Sequence, residues 1–578
     1  MSHHDKPWPQ VPVTNKDYTQ AAVVIVGAGI SGMCTAIDLI KQHNCRNFII
    51  VEKSSGVGGT WHDNKYPGCC CDVTSLLYSY SFAQNSDWSR LYPGQEEILD
   101  YLHRVANEYG LFQHIRFNTS VEQAEWDDDK KNWKTRVNVS GDKDREFSDG
   151  YTITSNFLVS GVGQLNVPRY PDIEGLDDFK GKSMHSARWD WSYPLEGKRI
   201  AVIGNGATAA QIIPEIVKVA SHVTMYQRQA NWVIPRLDGP VSATRRAIFK
   251  YVPFVQSRVR ANMMDFRESF YDAVTNGDSD FANLLRDQSF DLLQQTFPDD
   301  KEMRETLTPN YPPGCKRVII SDDLYPALAR PNVSVETRKI QKITETGIEV
   351  EGDVLEEFDL IVHATGFRTV EFMYPIKVKG IHDRDISDIW RSGAQAYYSV
   401  TVEDLPNFGM LYGPNSNLGH NSIILMIEAQ SRYINALIGE VLKSKREGKS
   451  LSIRPNPTVV AKYNDWLQEI LAKTSFADER CTSWYKNEDG KITNNWGLTV
   501  VQYQKFLSSV NWQDYILEGT ASDEVRRKGQ TKLGRVVEET QVSNLQLAAG
   551  VLGVIAVAAG VLTRGDLRNV KLPQIRIR

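Results

Sequence analysis

Two glycine-rich turns in this chain have the residue types and spacing to hold nucleotides. The first, Gly27-Ala28-Gly29-Ile30-Ser31-Gly32, follows the β-branched run Ala22 to Val26, and Glu52 ends the next such run. In this pattern the first glycine permits the tight turn, the second lets a pyrophosphate approach the backbone, and the third lets helix pack on strand. The helix N-terminus holds the phosphates, and Glu52 accepts hydrogen bonds from ribose hydroxyls. The second turn, Gly204-Asn205-Gly206-Ala207-Thr208-Ala209, follows the run Arg199 to Ile203. Its next strand, His222 to Tyr226, ends in Gln227-Arg228 and carries no acid. An arginine there pairs with a 2′-phosphate that an acid would repel, which selects NADP over NAD. Two such units on one polypeptide imply two nucleotide cofactors, with electrons passing from one to the other.

The elements that must position these turns can be read outward from them. The first unit is a βαβ opening, with an amphipathic helix to about His43 and a second strand from Asn47 to Val51. Alternating runs from about Ile115 to Ser160 predict a small antiparallel meander. Residues 241 to about 312 have a helical pattern and read as an insertion in the second unit. The run from Val333 to Val362 returns to strand-like alternation, ending in Asp359-Leu-Ile-Val-His-Ala-Thr-Gly-Phe367. The expected fold is α/β, with two Rossmann-like dinucleotide-binding domains. Residues 1–165 and 371–540 form the first, with substrate loops in the later part. Residues 166–370 form the second, and 541–578 are an apolar tail.

At 578 residues, with 41% hydrophobic and 24% charged residues, the composition is that of a globular protein of several domains. A formal net charge of -5 gives no reason to expect nucleic acid as a partner. The seven cysteines include no Cys-x-x-Cys, so all seven are expected as reduced thiols in a reducing, cytoplasmic setting. The tail is different. Leu547 to Leu562 has no polar side chain. As a helix it would span roughly 24 Å, a little short of a ~30 Å hydrocarbon core. It reads as a candidate membrane anchor or membrane contact, spanning or monotopic; the alternative is a helix docked on the body.

Between the two turns, Phe179, Gly181, His185, Trp189 and Asp190 meet in full the signature F-x-G-x-x-x-H-x-x-x-W-(P/D). A second pattern is met by Gly59, Trp61, Tyr66, Pro67, Gly68 and Asp72. On these motifs the chain resembles the type I Baeyer–Villiger monooxygenases, which are related to the flavin-containing monooxygenases. The resemblance runs from about residue 20 to 515. It implies FAD on the first turn and NADPH on the second. Thr60, Trp61, His62, Asp63, Asp72, Tyr78 and Val121 would continue the FAD site, and Cys70 and Cys71 would lie by NADP. Lys316 matches the lysine that helps bind the 2′-phosphate, and Arg317 the arginine over the flavin ring. Asn495-Trp-Gly departs from the Trp-Pro-Gly of many relatives.

The implied reaction inserts one atom of O2 beside a ketone carbonyl, giving an ester or lactone through a peroxide on the C4a carbon of the flavin. Arg317 and Asp72 are the candidate catalytic residues, the acid fixing the guanidinium; the alternative is a structural ion pair between domains. His185 reads as a hinge residue rather than a proton shuttle, and Phe179 to Asp190 as the hinge. Two rival functions remain at this level. One is a flavin-containing monooxygenase that oxygenates nitrogen or sulfur. The other is a membrane-tethered flavoprotein without catalysis.

Overall fold

The computed structural model describes residues 19–140, 150–536, 549, 552 and 553. Two sheets carry the two turns, each on parallel strands. In the first, strand Gln20–Val26 lies between Phe48–Val51 and Tyr151–Ser160, parallel to both. Its side chains are buried from Ala21 to Val26, as β-branched runs covered on both faces must be. The meander Thr119–Asp127, Asn132–Val139 and Tyr151–Ser160 is antiparallel and joins this sheet through its last strand. Phe408–Met410 also pairs with that strand, so the sheet is completed by residues far downstream.

The second sheet is five-stranded, in the order Val333–Glu336, His222–Tyr226, Arg199–Ile203, Leu360–His363 and Lys182–His185. Every pairing in it is parallel. Beside it lies a three-stranded antiparallel sheet, Ile340–Ile343, Gly347–Val350 and Val354–Glu357. The α/β expectation with two dinucleotide folds therefore holds. Between the strands His222–Tyr226 and Val333–Glu336 run the helices Ala243–Tyr251, Pro253–Ser269, Tyr271–Thr275, Asp280–Thr296 and Lys301–Thr306.

Behind the first turn, helix Ile30–His43 packs on the long helix Ile423–Arg446. Ser431 donates to Asp38 at 2.5 Å, and His43 bonds the Asn435 carbonyl at 2.8 Å. A Cβ at Gly439 would stand 2.6 Å from the His43 ring, so that crossing needs glycine. This contact sets the long helix, and through it the 415–422 loop, against the first turn.

Candidate active site

At the first turn the glycines are needed by their surroundings. A Cβ on Gly32 would lie 1.9 Å from the Gly27 carbonyl oxygen, and Gly27 has φ +99°. Gly29 faces Gly59, whose Cα would be 3.4 Å from a Cβ there, so two glycines leave a channel for phosphate. Glu52 is buried and accepts from the N–H groups of Ala28 (2.7 Å) and Ser54 (2.8 Å). Burial raises its pKa, and those two donors pull against the rise. Thr60, Trp61, His62 and Asp63 form one short helix. Its Trp61 indole donates to Tyr78 at 3.1 Å, and Asp63 accepts from Ser54 at 2.9 Å. His62 Nδ1 is buried without a partner, a free polar atom beside the channel. The set fits an adenine dinucleotide such as FAD. Val121 pairs with Val137 inside the meander, and its side chain packs with Val26 and Val51, the residues that precede Gly27 and Glu52.

Residues 66–72 bridge the two folds. Tyr66 donates to Gln211 at 2.9 Å, and Gln211 donates back to the Cys70 carbonyl at 3.0 Å. A Cβ on Gly68 would meet the Gln211 carbonyl at 2.4 Å, at φ +74°. The segment is thereby pinned to helix Ala207–Ile216. Cys70 Sγ receives Arg236 Nη1 at 3.0 Å, and Cys71 is buried, its sulfur accepting from Val73. Burial pushes both thiols up, so neither is a ready nucleophile.

The next residue, Asp72, meets Arg317 in a two-point contact. Nε donates to Oδ2 at 2.5 Å and Nη2 to Oδ1 at 2.7 Å. Nη1 donates to the Leu418 carbonyl at 3.2 Å, tying in the 415–422 loop. Burial alone would raise the Asp72 carboxyl, but the Arg317 guanidinium holds it below the ordinary value. Burial works against the charge on Arg317, and Asp72 reverses that. Around the pair stand the half-buried phenol Tyr412 and the buried phenol Tyr485. Tyr412 donates to Asn417 at 2.7 Å, while Tyr485 Oη has no partner. Burial pushes Tyr485 up to about 12, which keeps it a neutral donor.

The second turn is more open. Gly204 has φ +110°, and a Cβ there would strike the Ala364 carbonyl at 2.5 Å, whereas a Cβ on Gly206 would meet nothing within 4 Å. Asn205 spans to Gln227 at 3.0 Å and to the Gln229 carbonyl at 2.8 Å. Gln227 is buried and its amide donates to Thr306, so it shapes the turn from behind. Arg228 is exposed. Lys316 reaches the same edge and donates to Gln229 at 2.9 Å. Burial and the neighbouring Arg228 lower Lys316 to about 8. Two cations against a helix N-terminus fit a 2′-phosphate. The open Gly206 and half-exposed Thr208 leave backbone room for the pyrophosphate.

In the 179–190 stretch, Gly181 is forced by the Phe179 ring, 2.5 Å from where a Cβ would lie. His185 is fully buried. Its Nε2 faces the Gly366 carbonyl at 2.9 Å, and Nδ1 accepts from Ala187 at 3.1 Å. Burial lowers its pKa to about 4, so near neutrality it is an uncharged staple between two strands. Asp190 accepts from Lys182 at 2.5 Å and from Ser192, and Trp189 sits 6.2 Å from the Trp191 ring.

A family model described as flavin-binding monooxygenase-like matches residues 20–244. The chain is 52% identical to FAD-binding monooxygenase ktnD of Aspergillus niger, over 96% of this chain and 90% of that one. It is 35% identical to a Baeyer–Villiger monooxygenase of Streptomyces coelicolor, over 85% and 92%. This chain belongs to the Baeyer–Villiger flavin monooxygenases. A solved structure of OTEMO in complex with FAD and NADP superposes with TM-score 0.74 at 25% identity, over 89% of this monooxygenase and 99% of that chain.

One expectation needs correction. Cys315 and Cys481 of the monooxygenase are disulfide-bonded, with Cα atoms 6.5 Å apart and a sequence separation of 166. Only five cysteines are free. Short-range spacing could not reveal this pair, because folding alone brings the 478–486 loop onto the segment before Arg317. Among the described residues no helix is long and apolar enough to cross a membrane. Nearly all of Leu547 to Leu562 lies outside the described residues.

The sequence reading also missed three groups at the site. Gln229 joins Lys316 to the loop, accepting from Thr482 N–H at 3.3 Å and donating to the Arg480 carbonyl at 2.9 Å. Leu418 contributes only a carbonyl, which no side-chain pattern reports. Arg267, on an insertion helix, lies within electrostatic reach of Asp72 and Arg317.

Proposed function

We propose that this monooxygenase inserts one oxygen atom of O2 beside a ketone carbonyl, giving an ester or lactone. It uses FAD and NADPH, with O2 as cosubstrate. Bound and reduced, the flavin supplies the activated oxygen. The protein supplies position, charge and dryness. The observation that carries the reading is the two-point Asp72–Arg317 contact, with its third bond to Leu418.

Adding an oxygen nucleophile to a ketone makes a tetrahedral oxyanion, and a fixed cation lowers that barrier. Arg317 stays charged throughout. Three of its five N–H donors are spent on Asp72 and Leu418, leaving two for a ligand. Asp72 holds the guanidinium plane in place, so no reorganisation is needed when charge develops. Tyr485, buried and unpartnered, can donate to the same oxygen. On the other side, Arg228 and Lys316 would hold the 2′-phosphate, and Glu52 the ribose of FAD.

The test is incubation with NADPH, labelled O2 and a panel of linear, cyclic and aryl ketones, beside a thioether. An ester or lactone carrying one labelled atom is expected. Sulfoxide from the thioether with no ester from any ketone would replace this reading with heteroatom oxygenation.

A further inference from the structure

Helix Pro253–Ser269 crosses the site and touches both segments that hold the Arg317 pair. Met263 contacts the Thr74 hydroxyl, two residues beyond Asp72. Glu268 accepts from Asn421 at 2.9 Å and from Val501 N–H at 3.2 Å. Just past the helix, the Tyr271 ring lies 5.6 Å from the His420 ring. His420 and Asn421 follow Leu418, whose carbonyl receives Arg317. Residues 263 and 267 are one helical repeat apart and share a face. Arg267 is thus held between the Thr74 contact and the His420 contact, facing the Asp72–Arg317 pair.

Arg267 differs from the other charges there. Both Asp72 oxygens are already taken by Arg317. Among the described residues no hydrogen bond or ion pair engages the Arg267 side chain, and its Nε is buried without a partner. Its neighbours are Tyr92, Asp72, Arg317 and Cys71. Asp72 cancels Arg317, so Arg267 leaves the site with a surplus positive charge. Lys316 turns away to Gln229, so the 2′-phosphate has cations of its own. A sheltered guanidinium lacking a counter-charge is costly unless a ligand brings one.

We infer that Arg267 binds an anionic oxygen on the substrate, so that the ketone accepted here carries a carboxylate or an ionised phenol. The inference deepens the proposed ketone reaction and rests on it. A planar guanidinium offers a carboxylate two parallel N–H bonds, which would fix the distance from acid to carbonyl and so the carbonyl's place beside Arg317.

The test uses the FAD-loaded enzyme and paired probes of nearly equal shape, 4-acetylbenzoate and 4-acetylbenzamide. Binding is read from the shift of the flavin absorption band. The acid is expected to bind the natural enzyme about tenfold more tightly than the amide. Arg267→Met should erase that preference while leaving FAD content and amide binding unchanged, and Arg267→Lys should keep part of it. A titration of 4-hydroxyacetophenone with pH separates phenolate from carboxylate recognition.

Equal binding of acid and amide to the natural enzyme, or no detectable binding of the acid, overturns the assignment. So does a preference that survives Arg267→Met, or loss of amide and acid binding together in that variant. Product mass keeps the two readings apart. Acid preference without ester from any ketone would sink the reaction and leave the anion site standing.

Discussion

The two nucleotide turns are built on one plan and finished differently. At the first, Gly32 is jammed against the Gly27 carbonyl, and Glu52 is buried under two backbone donors. At the second, Ala209 stands where the first has glycine, Gly206 faces open space, and Arg228 is exposed. A closed, prearranged channel suits a cofactor that stays; an open edge with an exposed cation suits one that arrives and leaves. The Asp72–Arg317 contact spans the two folds, with Asp72 from the first and Arg317 from the second.

That contrast can be broken experimentally. The largest effect is expected at the junction. Arg317→Ala should lower the rate of ester formation by about 10²–10³-fold, a barrier change of ~2.7–4 kcal/mol, while flavin content stays normal; product quantification with an absorbance spectrum checks both. Next comes the closed turn. Gly32→Ala places a Cβ 1.9 Å from a carbonyl oxygen, an overpacking cost of about 1–3 kcal/mol. It should yield protein depleted of FAD, whereas Ala209→Gly at the matching position should change NADPH binding little. Equal losses in both variants would erase the distinction.

The open turn should respond more gently. Arg228→Ala removes one charge-assisted contact of about 1.5–3 kcal/mol. The KM for NADPH should rise by roughly ten- to a hundredfold and the preference over NADH should fall, with kcat nearly unchanged. The smallest effect is in pH. Lys316 is lowered to about 8 by burial and by Arg228, and only its charged form attracts a phosphate. NADPH affinity should therefore be full below about 8 and decline as pH rises through it. Lys316→Arg should flatten that profile, because guanidinium does not titrate there.

Much of the fold was legible because its signals are local. A β-branched run, a glycine turn and an apolar helix face are set by neighbours within about 30 residues. That sufficed for both nucleotide units, for the antiparallel meander and for the α/β class. The site was legible in part. Gly27, Gly29, Gly32 and Glu52 meet at one turn as their spacing requires. Gln227, read as part of the NADP edge, accepts from Asn205 of the second turn and donates to Thr306.

By itself the sequence determined which chemistry could be housed here. Glycines that alone fit a turn, an acid at one strand end and an arginine at the other are covalently local facts, readable from spacing. Tertiary structure alone decided what meets across long separations. It set Asp72 on Arg317, joined Cys315 to Cys481, brought Gln229 under the 478–486 loop and placed Arg267 within electrostatic reach of the Asp72–Arg317 pair. Contacts of that kind depend on how the helices and sheets pack. No local pattern encodes them, because the partners acquire a shared address only when the chain has folded.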